Sequence, residues 1–209
     1  MQQKKLRQVM SNLIYQNAIT TDDWTLVELP KVEKVVRMQA GKVVLFHLTG
    51  ENTISAAQIA DTVIPPNGLV LLPMSVYIAR KASLENRVAK QEVGIWLATH
   101  ERLESLIEVE PDLNRFPLVA VFVERFADGR IFSLGNLLRT RYGYNNTLRA
   151  FGDVLRDQLY FLKRSGFDSY LIRADRNAQE ALTSLNDFTR PYQGAVDEKL
   201  PVWRRVSRK

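Results

Sequence analysis

Three places in the chain pass from a short apolar run into a cluster of charge. Asp128-Gly129-Arg130 follows LVAVFVERF, Gly152-Asp153 with Arg156, Asp157 and Gln158 follows LRAF, and Arg173-Ala174-Asp175 follows SYLI. An arginine guanidinium is a rigid fork of donors that matches two oxygens of a carboxylate, sulfate or phosphate. A helix N-terminus presents backbone N–H groups to the same kind of group. These residue types therefore point to a site for a small anion or for a polar partner, with Arg149 adding to it from the strand itself. Because the acids nearly match the arginines, an ion-pair network tying loop to loop is the competing reading. Asp153 and Asp157 lie one helical turn apart and could share a face for acid/base work, but no catalytic residue is assigned.

Other chemistries are poorly provided for. There is no cysteine, which removes disulfides, thiolate nucleophiles and cysteine-held zinc or iron–sulfur clusters within the chain. The two histidines, His47 and His100, form no HxxxH or HExxH spacing, so no metal is expected. Ser133 and Ser165 have no adjacent histidine and no GxSxG elbow occurs. Neither GxxxxGK[ST] nor GxGxxG is present, and no cofactor is expected.

A net charge of +6 is moderately basic, but much of it sits in Lys4, Lys5 and Arg7 at one end and Arg204, Arg205, Arg208 and Lys209 at the other. Such ends are usually solvated, which weighs against a nucleic-acid surface. No apolar run approaches the roughly 20 residues needed to span a bilayer. The start MQQKKLRQVMSNLIYQ breaks its apolar residues with Gln8, Ser11 and Asn12, unlike a signal peptide. A cytoplasmic protein without membrane contact is expected.

The elements that would position the charged clusters follow a rhythm. The runs GLVLLP, VGIWLA, LVAVFVE, LRAFG and SYLIRA begin roughly every 20–30 residues, with amphipathic stretches of helical length between them. The expected fold is α/β: successive βα units forming a mostly parallel sheet or partial barrel, with a mixed strand-containing N-terminal lead-in. The lead-in covers residues 1–68 and packs on the core, the βα core covers 69–195, and 196–209 is a basic C-terminal tail. Leu6, Val9, Met10, Leu13 and Ile14 fall at helical spacing, whereas Trp24–Leu29 and Lys42–Phe46 read as strands. Ser133 is expected to cap one helix and Asp153 the next, the latter closing at Gly166. Tyr142 and Tyr144 are expected to close off the core, and Phe161 to pack while Tyr160 lies nearer solvent. In such folds the loops leaving the carboxyl ends of parallel strands form the ligand face, so the three charged exits should lie side by side.

The run FADGRIFSLGNLLRTRYGYNNTLRAFGDVLRDQLYFLKRSGFDSYLIRAD is long and specific. It resembles the signature of a bacterial family, domain of unknown function 934, approximately FxDGRxxSxAxxLRxRxGYxGxLRAxGDVxxDQLxxxxRCGFDxF. The resemblance extends weakly to DDWTLVEL upstream and DFTRPYQ downstream. Members carry the label of an oxidoreductase involved in sulfite reduction, a label resting largely on gene neighbourhood, so the resemblance implies a pathway more firmly than a reaction. Asp128, Gly129, Arg130, Arg149, Gly152, Asp153, Asp157 and Gln158 match the signature and coincide with the charged exits. Two departures stand out: Ser165 where the pattern often has cysteine, and Gly135-Asn136 where a small residue, usually alanine, precedes LLR. A redox thiol at position 165 is thus not essential to this protein.

Three functions follow as expectations. The first is an accessory protein of assimilatory sulfite reduction that docks on sulfite reductase or another sulfate-assimilation protein through Asp128–Arg130 and Arg149–Gln158. The second is an α/β enzyme that binds a small oxyanion or sulfonucleotide at the same cluster. The third and weakest is a nucleic-acid binder carried by the basic ends.

Overall fold

The computed structural model describes residues 12–29, 38–39, 42–43 and 54–205. The expected helical spacing of residues 6–14 and the strand Lys42–Phe46 fall largely outside them. Within them, Leu13–Tyr15 forms β1 and Ala18–Thr20 forms β2, joined by a tight turn at Gln16-Asn17. Asn17 tolerates the positive φ that such a turn demands. Thr25–Leu26 is β3, and Met38–Gln39 (β4) pairs with Lys42–Val43 (β5) as a separate ribbon. Ala56–Ala60 is a short helix, α1, whose Ser55 cap and Gln58 complete a reciprocal capping box.

From there the expected βα rhythm holds. Strands Val70–Pro73 (β6), Val93–Ala98 (β7), Leu118–Val123 (β8), Thr147–Gly152 (β9) and Ser169–Leu171 (β10) alternate with helices. The helices are Met74–Ala89 (α2), Leu103–Val109 (α3), Arg130–Thr140 (α4) and Leu159–Arg164 (α5), followed by Ala178–Thr183 (α6) and Val202–Arg205 (α7). The main sheet has eight strands in the order β2-β1-β10-β9-β8-β7-β6-β3. Strands β3 and β6–β10 pair in parallel, and β1 alone runs counter to its neighbours.

Neighbours in sequence are neighbours in the sheet from β6 to β10, so each right-handed crossover places its helix on the same face. The opposite face is left to curl on itself, and the sheet is a half-barrel. Chain length alone requires the curl. Eight strands laid flat at about 4.8 Å spacing would hold their edges about 34 Å apart, yet the chain passes from Thr20 on one edge to Thr25 on the other, a stretch that reaches about 17 Å at most.

The convex face packs under the helices through Val70, Leu72, Ile95, Leu97, Val119, Val121, Leu148 and Ala150. The concave face carries Leu71, Trp96, Leu118, Ala120 and Phe151, with Trp24, Leu29, Phe122 and Leu171 against them. Burial on both faces explains why β7 and β8 read as unbroken apolar runs rather than alternating ones.

Two expected caps differ. Helix α4 begins at Arg130, three residues before Ser133, because the Asp128 carboxylate already accepts the Arg130 backbone N–H at 3.1 Å. Asp153 caps nothing: its carboxylate is drawn to other loops, and the turn before α5 is held by the Gln158 side chain, which accepts from Leu155 N–H at 3.1 Å. Gly166 closes α5 with φ of +100°, as expected. Tyr144 is fully buried and Tyr142 packs on the core, but Tyr160 and Phe161 exchange their expected places: Tyr160 packs against Phe188 with the rings tilted by 58° while Phe161 faces solvent. Residues 196–205 of the basic C-terminal stretch fold back onto the body, through Val196 N–H to Arg164 O, Val202 N–H to Tyr192 O and the Arg164–Asp197 ion pair.

Candidate functional site: the strand-exit rim

Parallel strands β7, β8, β9 and β10 are consecutive neighbours, so the loops leaving their carboxyl ends share one rim. Four loops meet there, one more than the sequence singled out. At the β8 exit, Asp128 receives Arg130 Nε at 2.8 Å and Nη2 at 2.6 Å, and the Thr99 hydroxyl from the β7 exit donates to the same carboxylate. The Arg130 contact, helped by Thr99 and against burial, holds the Asp128 carboxyl down to about 2. Asp128 is therefore ionised throughout the physiological range and already neutralised by its neighbour.

At the β9 exit, Asp153 bridges two other loops. One oxygen accepts the Phe126 backbone N–H at 2.9 Å, and the other accepts Arg173 Nη1 at 2.7 Å from the β10 exit. Arg173 also forks onto Asp175 at 2.6 and 3.0 Å, with Arg176 nearby at 3.7 Å. Gln158, 6% exposed, donates to Phe126 O at 3.0 Å. The rim thus unites Asp128, Arg130, Asp153, Gln158, Arg173 and Asp175 in stitches between loops.

The remaining sequence candidates sit differently. Gly129 precedes α4 with open space around it, and Gly152 ends β9 with φ of +101°. Arg156 and Asp157 are exposed beside the rim, with no side-chain hydrogen bond or ion pair to another described residue. Arg149 is not on the rim at all. It lies on the concave face, 4% exposed, with Nε on the Ser169 hydroxyl at 3.1 Å and Nη1 on Asp22 at 2.9 and 3.0 Å.

Sequence reasoning missed Thr99, Glu101 and Asp22. The position of Thr99 directly after VGIWLA was the available signal for a fourth exit. Glu101 accepts the Ala98 N–H at 2.6 Å, and burial pushes its carboxyl up from the ordinary range. The folded state then resists ionisation that the unfolded chain accepts, so Glu101 costs stability as pH rises from about 4.5 through its folded value. Glu101→Gln keeps an acceptor for Ala98 N–H and is expected to raise the melting temperature at pH 8 but not at pH 4. An equal change at both pH values would show that burial of the charge is not the cause.

Among the described residues, no three histidine, cysteine, aspartate or glutamate side chains gather as metal ligands, and no helix is long and apolar enough to cross a membrane. The rim carries paired charge, an exposed aromatic, Phe126, and exposed charges that include Arg156 and Asp157. Fold and rim together define a class: an α/β half-barrel protein with a charge-stitched strand-exit face. The model of the family described as bacterial protein of unknown function (DUF934) matches residues 94–203, more than half of the chain, and the protein belongs to that family. The comparisons with curated proteins and with solved structures give no match.

Proposed function

We propose that this protein is an accessory component of assimilatory sulfite reduction that docks on a partner such as sulfite reductase through the strand-exit rim. The pathway is carried by the family resemblance, and the mode of action by one observation: Arg130 and Arg173 are both occupied by carboxylates of their own chain, while Arg156, Asp157 and Phe126 stand exposed at the same rim. A rim whose forks are filled from within is better suited to present a rigid surface than to hold a loose anion. Arg and aromatic side chains are also the residue types that anchor protein interfaces.

Titration calorimetry against the sulfite reductase haemoprotein tests this reading. Saturable binding is expected, weakened about tenfold or more by Arg156→Glu, since reversing an interfacial charge juxtaposes like charges. The Arg156 side chain, exposed and unpaired among the described residues, predicts an unchanged melting temperature for that variant. An absence of binding, or equal affinity in the variant, overturns the assignment of the rim and shifts weight to the small-oxyanion reading.

A further inference from the structure

The concave face holds a charge that the rim does not use. Arg149 projects from β9 on the concave face, the face that also carries Trp96, Phe122 and Phe151, whose ring centroids lie 5.2–5.9 Å apart. A guanidinium in such surroundings requires a counter-charge. The β10 neighbour supplies only a hydroxyl, Ser169, and the sole carboxylate that meets Arg149 among the described residues is Asp22. Asp22 belongs to no strand. It sits in the link 21–24, which crosses the curl from β2 to β3.

No backbone–backbone hydrogen bond among the described residues involves positions 21–24; the chain re-enters the ladder only at Thr25 N–H to Leu69 O, 2.9 Å. The link is anchored instead by two side chains. Asp22 reaches Arg149 while its Oδ1 also accepts the Trp24 backbone N–H at 3.2 Å, and Trp24 lies with its ring against Gly94, where a β-carbon would stand 3.0 Å from it. Thr21, Asp22 and Asp23 are exposed, and the Asp22 side chain stands between solvent and a guanidinium that is otherwise buried. The strand side of the site, Arg149 with Ser169, sits on the paired strands β9 and β10; the carboxylate side is carried on a strap.

We propose that Arg149 and Ser169 form an internal binding site for a carboxylate or small tetrahedral oxyanion, and that Asp22 occupies it as a tethered competitor. A ligand enters by displacing the Asp22 carboxylate, which lifts the strap and moves Trp24 off Gly94. Arg149 Nη1 donates to both Asp22 oxygens, and the two oxygens of a carboxylate, sulfate or phosphate would take the same donor. This site is independent of the rim, so either assignment stands if the other fails.

Two tryptophans report on the strap, Trp24 on it and Trp96 beneath it, and Trp203→Phe silences the third. In that background, full-length protein is titrated with sodium acetate or sodium sulfate at ionic strength held constant with chloride, and the emission is followed. A saturable change is expected with at least one of the two anions, the responding shape identifying the ligand class. Asp22→Asn keeps the hydrogen-bonding shape but removes the competing charge, and should tighten binding about tenfold or more, as loss of a tethered competitor at millimolar effective concentration implies. Arg149→Gln should abolish the response. Arg149→Lys, which keeps charge without the fork, should weaken it and serves where the glutamine variant does not fold. No saturable change in either the parent or Asp22→Asn, or a response that survives loss of the Arg149 fork, overturns the proposal.

Discussion

Gly152→Ala is expected to lower the melting temperature by on the order of 10 °C. Gly152 ends β9 at φ of +101°, a region that L side chains rarely enter, and an added β-carbon would meet Val123 O and lie 2.8 and 2.9 Å from the Phe122 ring. Val123 O is also the acceptor of the Asp153 N–H at 2.8 Å, so the strand cannot move aside without loosening the next residue. Backbone strain of about 1–3 kcal/mol and overpacking of about 1–3 kcal/mol together approach the lower end of total stability for a domain, about 5 kcal/mol. Each kcal/mol moves the midpoint by about 2–4 °C in a chain of this size. Gly129→Ala is the matched control, because an added β-carbon there meets nothing within 4 Å. A circular-dichroism melt in which the two variants behave alike would show that the backbone does not require Gly152.

Glu110→Ala should cost about 2–4 kcal/mol. Its carboxylate, 5% exposed, closes α3 against α2 by accepting the Tyr77 hydroxyl at 3.0 Å and Arg115 Nη1 at 2.8 Å, with Lys81 Nζ at 3.3 Å. Tyr77 is wholly buried, so its hydroxyl would be left without a partner, a loss of about 1–3 kcal/mol. The two cations would also face each other without their shared counter-charge, although each remains about a third exposed and Arg115 keeps Glu85, which limits the cost. Urea midpoints of Glu110→Ala, Tyr77→Phe and the double variant form the test. The double variant should be less destabilised than the sum, because the carboxylate and hydroxyl act as one unit. Strict additivity, or a neutral Glu110→Ala, would mean that carboxylate desolvation offsets the whole network.

The parts of this fold that could be read in advance are those in which local pattern and tertiary demand agree. GLVLLP, VGIWLA, LVAVFVE, LRAFG and SYLIRA became five neighbouring strands because both of their faces are buried, and their charged exits met because neighbours in sequence are neighbours in the sheet. The errors arose where a distant group outbid a local one. Asp153 looked like a helix cap until Phe126 N–H and Arg173 claimed both of its oxygens, and Ser133 lost its cap to Asp128. Tyr160 and Phe161 exchanged places because Phe188, nearly thirty residues on, provides the surface on which Tyr160 packs. Arg149 read as part of the rim because nothing within its own segment announces a partner 127 positions upstream. Asp22 itself carried no signal beyond being an acid before an apolar run.

The pairing of Leu13 with Leu171 also sets an order of events. Strands β6 to β10 join partners made shortly before them, whereas the hairpin of β1 and β2 needs β10, which is made after all of the other sheet strands. Loop closure over so long a separation is slow compared with the local pairings. A hairpin made before the core strands is thus seated after them, and the growing chain carries an open β10 edge until the hairpin arrives. A protein assembled in this order exposes that edge to chaperones and to other chains for as long as its own amino-terminal segment is delayed.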